Sequence, residues 1–346
     1  MSTNHLQELT GADAPAGARE VIPGHVKLAL YRSMLELRYC EKRAYDLFLQ
    51  NLVKGTSHLA LGQEAVAAGF GLAMEKDDYT FCTYRGHHHT LARGAPMLGV
   101  LGELMGRQCG LLGGKGGSMH MTSVAHGVMG SYAIVGAHLP IALGAAWSAQ
   151  YRGTSQVAVA FFGDGATNIG AFHEALNLAV VWRLPVIFVC ENNLYMEYTP
   201  IGSVTAVDHP AAGRAAAYGL QSIIVDGNDV NEVYLTARAA LKSARAGEGP
   251  SLIECETYRH SGHSRADPAK YRPAGELETW LQRDPVQTYR ARLLAEGVAA
   301  QDLAAMESAV LAEVDRATEA ARKSPTPTIE SAYVNVWADG GAQWRN

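Results

Sequence analysis

Gly163-Asp164-Gly165-Ala166 and Glu191-Asn192-Asn193-Leu194-Tyr195 decide the fold of this chain. Asp164 and Asn193 lie 29 positions apart (193 − 164). Before the first stretch, Gln156 to Phe162 is short, apolar and β-prone, as a strand buried on both faces should be. Gly163 and Gly165 bracket Asp164, and glycine allows a tight turn and close approach of the backbone to a ligand. Ile169, Phe172, Leu176, Ala179 and Val180 recur at helical spacing, which predicts a crossover helix over Asn168 to Arg183. Pro185 ends it, and Val186 to Cys190 is the next strand. A right-handed βαβ crossover places both strand ends on one edge of a parallel sheet, where ligands of open α/β sheets bind.

That edge offers a carboxylate, an amide oxygen and backbone carbonyls. Such a set suits a hard cation such as Mg²⁺, which takes oxygen ligands and shares them with substrate phosphates. A helix starting after Gly165 would point its N-terminus at the site and favour a phosphate there. Gly-Asp-Gly alone also fits an ordinary turn with a solvated Asp. The second stretch, at the tip of the following strand, makes the pair a site. Two commoner phosphate motifs fail. Gly163 to Asn168 lacks the third glycine of a dinucleotide fingerprint, and around Gly114-Lys115 a P-loop would need Gly in place of Cys109 and Ser or Thr in place of Gly116.

These stretches resemble the thiamine diphosphate motif, which opens on Gly-Asp-Gly and closes on Asn-Asn. More narrowly, the chain resembles α subunits of heterotetrameric 2-oxo acid dehydrogenase E1 components of the pyruvate, acetoin and branched-chain type. The likeness runs from about Lys27 to Pro327, in ordered blocks: Ser57-His58-Leu59, Gly62-Gln63-Glu64-Ala65, Tyr84-Arg85-Gly86-His87, Gly114 to His120, Ile134 to Ala137, the pair above, and Gly262 to Pro268. It implies a three-layer thiamine diphosphate-binding fold, a parallel sheet with helices on both faces. It implies that Asp164, the side chain of Asn193 and the carbonyl of Tyr195 hold Mg²⁺. Gly165 and Ala166 would bind the diphosphate through N–H groups, joined by Tyr84 and Arg85, whose guanidinium matches phosphate geometry. Ala133 and Val135 would contact the aminopyrimidine, with Val135 also a candidate wedge under a bent cofactor. His263 would face the reacting carbon, and His58 is a second candidate catalytic residue near the substrate entrance. His87-His88-His89 reads as structural, because consecutive side chains do not converge. His120 and His126 receive no role. Ser264 stands where some relatives are phosphorylated, and reads here as a loop hydroxyl.

The resemblance further implies oxidative decarboxylation of pyruvate, or cleavage of acetoin, with acyl transfer to a lipoyl-bearing E2 acyltransferase. The glutamate that activates the aminopyrimidine comes, in such heterotetramers, from a β subunit. No second sheet-forming domain is read after Pro268, so an α2β2 assembly is expected. Another thiamine-dependent lyase or synthase subunit, or a non-catalytic scaffold subunit, are the alternative readings.

Composition is that of an ordinary globular chain: 346 residues, 48% hydrophobic, 18% charged, net charge −5. The acidic balance gives no support to nucleic-acid binding. No 18-residue apolar run suggests a membrane span, and the first twenty residues lack a secretory or mitochondrial leader pattern. Cys40, Cys82, Cys109, Cys190 and Cys255 are scattered, as reduced, buried thiols of a cytoplasmic protein would be. The organisation read from the chain is a mobile arm (1–26), a single domain (27–327) and an extended apolar tail (328–346) that docks on a partner. Helices are expected at Lys27–Gln50, Gln63–Met74, Ala137–Gln150, Val230–Ala246, Pro285–Glu296 and Ala300–Lys323. Strands are expected at Tyr79–Thr83, Ser222–Val225 and Leu252–Tyr258. The eight glycines from Gly106 to Gly130 predict a loop over the cofactor channel, and Tyr258 to Tyr271 a loop rich in polar residues.

Overall fold

The computed structural model describes residues 21–334, except Lys54. In chain order these residues form α1 (Gly24–Leu49), α2 (Glu64–Ala73), β1 (Tyr79–Thr83), α3 (His87–Ala92), α4 (Met97–Leu104), β2 (Val128–Tyr132), α5 (His138–Arg152), β3 (Ala158–Gly163), α6 (Gly170–Val181), β4 (Val186–Asn192) and a short hairpin, β5 (Tyr195–Met196) with β6 (Thr199–Pro200). There follow β7 (Ile223–Asp226), α7 (Val230–Arg245), β8 (Ser251–Glu256), α8 (Glu276–Leu281), α9 (Pro285–Ala295) and α10 (Ala300–Lys323).

One six-stranded sheet, in the order β2-β1-β3-β4-β8-β7 and parallel throughout, forms the middle layer. Its strands are apolar on both faces. Ala158, Ala160 and Phe162 of β3, with Phe188 of β4, pack against α5 and α6. Val159, Phe161, Ile187 and Val189 point the other way, onto α2 and α7. A further cluster joins α1, α4, α9 and α10 outside α2. The predicted three-layer α/β fold is present, with this extra helical shell on one side.

Local chemistry explains the helix starts. Asp229 caps α7 by accepting the N–H groups of Asn231 and Glu232. Asp284 does the same for α9 ahead of Pro285 at its first position. α1, α2 and α9 are tied by one buried charge cluster. Arg38 donates to both oxygens of Glu64, at 2.5 and 2.9 Å, and meets Asp284 at 2.9 Å. Burial pushes the Glu64 carboxyl up, but Arg38 outweighs it and brings it down to about 2.

Several expectations need correction. α1 begins at Gly24, so the arm is shorter than 1–26; residues 1–20 lie outside the described residues. The crossover helix starts at Gly170, not Asn168, because Asp164–Asn168 makes a 3₁₀ turn that breaks at Ile169, whose backbone is extended. The glycine-rich stretch is not all loop. Its end, Val128 onward, is the edge strand β2, and residues 112–117 wrap round the buried carboxylate of Glu103, which accepts the N–H groups of Leu112, Gly114, Gly116 and Gly117 at 2.7 to 3.0 Å. The tail is not extended at its start: Ile329–Tyr333 is a 3₁₀ turn, and residues 335–346 lie outside the described residues. All five cysteines are free, and Cys109 is half-buried rather than buried. Among the described residues no helix is long and apolar enough to cross a membrane.

Arg38→Met should destabilise the protein by about 3–5 kcal/mol, because Glu64 stays buried without its partner. The folded-state pKa of Glu64 lies below its ordinary 4.5, so its contribution is complete above that pH and disappears as pH falls toward 2. Urea titrations of both proteins should therefore show a gap at pH 7 that narrows below pH 4.5. A gap that widens on acidification would refute the assignment.

Candidate functional site

The sheet changes direction between β1 and β3. From β1 the chain moves outward to β2; from β3 it moves the opposite way, to β4. A crevice opens at the carboxyl ends of strands at such a switch point. In-register pairing of β3 with β4 sets Gly163 opposite Glu191, so Asp164 and the Asn192-Asn193 pair leave the sheet side by side. The tip of β1 supplies Tyr84 and Arg85, that of β2 supplies Ala133, and that of β8 leads to Arg259 and His263.

A cleft of about 640 Å³ occupies this edge, within the range of small-molecule sites. Each residue singled out from the sequence lines it: His58, Tyr84, Arg85, Ala133, Val135, Asp164, Gly165, Ala166, Asn193, Tyr195 and His263. Asp164 is 2% exposed. Its Oδ1 accepts the N–H of Gly165 at 2.7 Å, whereas Oδ2 is buried with no partner. Burial pushes its carboxyl up to about 6. A buried oxygen left unpaired is costly, and beside the side chain of Asn193 it fits a hard cation. Asn193 Oδ1 faces the N–H of Tyr195 at 3.4 Å. Asn192 is turned away, giving its amide N–H to Glu254 at 2.7 Å. Leu194 and Glu197 hold φ of +71° and +54°, a left-handed backbone unusual for these residues. The β5–β6 hairpin they bend packs down on Gly165, where a Cβ would lie 2.5 Å from Met196 Cγ. Gly165 is required by that close approach.

On the opposite wall, the His58 ring lies 4.4 Å from Tyr84 and 4.9 Å from His263, between ring centroids. Burial, reinforced by Arg85, depresses both imidazoles, His58 to about 3 and His263 to about 4, so both rings are neutral at physiological pH. Arg85 donates to the carbonyls of Leu59 and, at 2.9 Å, His263. It joins the two histidine segments while lining the cleft. Val135 is 46% exposed at the rim, so it is not a core residue. The histidine triplet diverges as expected: His87 turns to Glu41 and Ser118, His89 to Glu191, and His88 is buried with no hydrogen-bond partner on either ring nitrogen.

Sequence reading missed Arg259, Glu191 and Tyr198. Arg259 is 1% exposed, lines the cleft, and donates to Ser261 O and Tyr271 Oη at 3.2 Å each. Glu191 also lines it, held 3.2 Å from His89 Nε2. Both follow from their place at the ends of β8 and β4, a signal carried by topology. Tyr198, in the hairpin turn, sets its ring 5.8 Å from His263 and had no such signal.

A switch-point cleft lined by a buried carboxylate with one oxygen unpaired and by two arginines defines an α/β protein with a ligand site at its strand tips. Comparison with known proteins is in keeping with that class. The family described as "Dehydrogenase E1 component" matches residues 31–330. The α subunit of acetoin:2,6-dichlorophenolindophenol oxidoreductase from Bacillus subtilis is 42% identical over 311 residues, 90% of this chain and 93% of that protein. Pyruvate dehydrogenase E1 component α subunits from Zymomonas mobilis and Porphyra purpurea are 41% and 39% identical, over 89% and 91% of this chain and 88% and 94% of their own. This chain belongs to the dehydrogenase E1 component family, whose members are thiamine diphosphate-dependent oxidoreductases.

Asp164→Asn keeps an acceptor for Gly165 but removes an unpaired buried charge. It should raise the stability of the cofactor-free protein by about 1–3 kcal/mol. Denaturant unfolding without cofactor or Mg²⁺ measures this, and a loss of stability would show that Asp164 is already satisfied by the protein.

Proposed function

We propose that this chain is the α subunit of a thiamine diphosphate- and Mg²⁺-dependent E1 that oxidatively decarboxylates pyruvate, or cleaves acetoin, and passes the acyl unit to a lipoyl-bearing E2. The observation that carries this is the buried oxygen of Asp164 that lacks a hydrogen-bond partner, in a cleft that Asn193 and Gly165 also line. Asp164, Asn193 and the carbonyl of Tyr195 are the proposed Mg²⁺ ligands. The N–H groups of Gly165 and Ala166, with Tyr84 and Arg85, are the proposed diphosphate contacts. Ala133 and Val135 would meet the aminopyrimidine, and exposed Val135 is free to wedge beneath a bent cofactor.

Thiamine diphosphate supplies a nucleophilic carbon and an electron sink. The protein's part is to bind, orient and manage protons. His263 and His58, both neutral, can each give and accept a hydrogen bond at the reacting end of the cleft. His263 is anchored by its own N–H, which donates to Asp267 Oδ2 at 2.6 Å. His58 Nδ1 and His263 Nδ1 are buried without hydrogen-bond partners.

A β subunit would complete the site in an α2β2 assembly in the cytoplasm. The surface supports a partner. From the cleft rim at Ile134 and Val135, an exposed apolar stripe continues along α5 through Ile141, Trp147 and Tyr151. Exposed apolar side chains that run on from the mouth of a ligand cleft fit an interaction surface.

Asp164→Asn should abolish Mg²⁺-dependent thiamine diphosphate binding; unchanged affinity by calorimetry would remove the metal assignment. Co-expressed with its β partner and loaded with cofactor, the chain should reduce an artificial electron acceptor with pyruvate or acetoin, and should be inert alone. An assembly with cofactor bound that is silent on both, and on branched 2-oxo acids, would overturn the proposal.

A further inference from the structure

Behind the cleft, a run of buried polar side chains joins three separate parts of the chain. Glu41 on α1, His87 at the start of α3 and Ser118 after the glycine-rich stretch are each at most 4% exposed. Glu41 Oε1 lies 2.5 Å from His87 Nδ1, and His87 Nε2 lies 2.8 Å from Ser118 Oγ. Ser118 Oγ then donates to Ser57 Oγ at 2.8 Å. The other oxygen of Glu41 accepts the N–H of Ala60 at 2.9 Å. Carboxylate on Nδ1 and hydroxyl on Nε2 is the order of a hydrolytic triad. Here the hydroxyl is buried, points at another serine and does not line the cleft, so it has no substrate to attack.

What the run does is set by its ends. Ser57 and Ala60 flank His58, and Ser118 precedes Met119; His58 and Met119 both line the cleft. The segment around His58 has no helix or strand of its own. Its place is fixed by Glu41 at Ala60, by Ser118 at Ser57, by Arg85 at the Leu59 carbonyl and by the Arg265 N–H at the Ser57 carbonyl, 3.2 Å away. We infer that Glu41, His87 and Ser118 are positioning residues that hold His58 in its place on one wall of the substrate cleft. None of the three touches the cleft itself. The inference rests on the E1 reading in giving His58 a substrate to face.

The test uses His87→Gln and Ser118→Ala in the assembled, cofactor-loaded complex; the second removes one oxygen and serves if the first fails to fold. Crystal structures of the variants should show the His58 ring moved by about 1 Å or more from its place beside Tyr84 and His263. A shift of that size corresponds to a roughly tenfold to hundredfold loss in kcat, with thiamine diphosphate affinity by calorimetry unaltered. Combined with His58→Ala, either variant should cost nothing further, because both act through the same ring. A His58 ring that keeps its place in both variants, or losses that add to that of His58→Ala, would overturn the inference. If the wild-type complex shows no turnover, the E1 reading fails and the position of the ring alone decides this one.

Discussion

An unpaired, buried carboxylate oxygen at the tip of β3 is the constraint around which this molecule is arranged. A protein interior ordinarily pairs such a group or neutralises it. Here the register of β3 on β4 brings an amide alongside, and the strained hairpin after Asn193 closes over Gly165. Among the described residues no hydrogen-bond partner is found for Asp164 Oδ2. The sheet behind it, apolar on both faces, gives this edge its rigidity and keeps water from it.

Around that edge, loops rather than regular elements carry many of the polar groups, and carboxylates, buried at Glu103 and Glu254 and half-buried at Glu276 and Asp267, organise them. Glu103 gathers four N–H groups of the glycine-rich stretch. Glu254 accepts the N–H groups of Ala211 and Ala212 and the side chain of Asn192. Glu276 receives the hydroxyls of Tyr195 and Tyr258, at 2.8 and 2.6 Å, and so ties the proposed metal hairpin to the segment that leads to His263. Asp267 accepts the N–H groups of His263 and Ala269 and the hydroxyl of Tyr271. Each carboxylate is satisfied by several donors, the condition under which a buried polar group rigidifies a structure. Asp164 differs in having one oxygen left over.

The βαβ unit was legible in the sequence because strand, glycine turn, helix and strand succeed one another within forty residues, each with its own periodicity. Asp164, Asn193 and the long helices were readable for that reason. The edge strand β2 was not, because Val128 to Tyr132 follows a run of glycines and contains Gly130, which weakens a strand signal. The 3₁₀ turn before α6 was hidden as well: helical spacing of apolar residues continues through Ile169, although its backbone is extended. Arg259 and Glu191 were missed for a third reason. Alone in sequence each is an ordinary charged residue. Only the order of strands makes their positions the walls of one cleft.

A division of the proposed site between two chains has a physical ground in this surface. A cleft closed on every side by this polypeptide would have to bury the rim around Ile134 and Val135, which stand 73% and 46% exposed. Exposed apolar side chains at the mouth of a ligand cleft gain most when a second surface covers them and the ligand together. Exposed Ile141, Trp147 and Tyr151 on α5 add further apolar surface to that rim. In the proposed assembly, covering the rim and completing the site would be one event: a contact that shields exposed Trp147 and Tyr151 would also bring a partner's atoms to the open wall. In that proposal stability and function come from the same interface, and the Asp164 oxygen left without a hydrogen bond is met at that edge by the ligand.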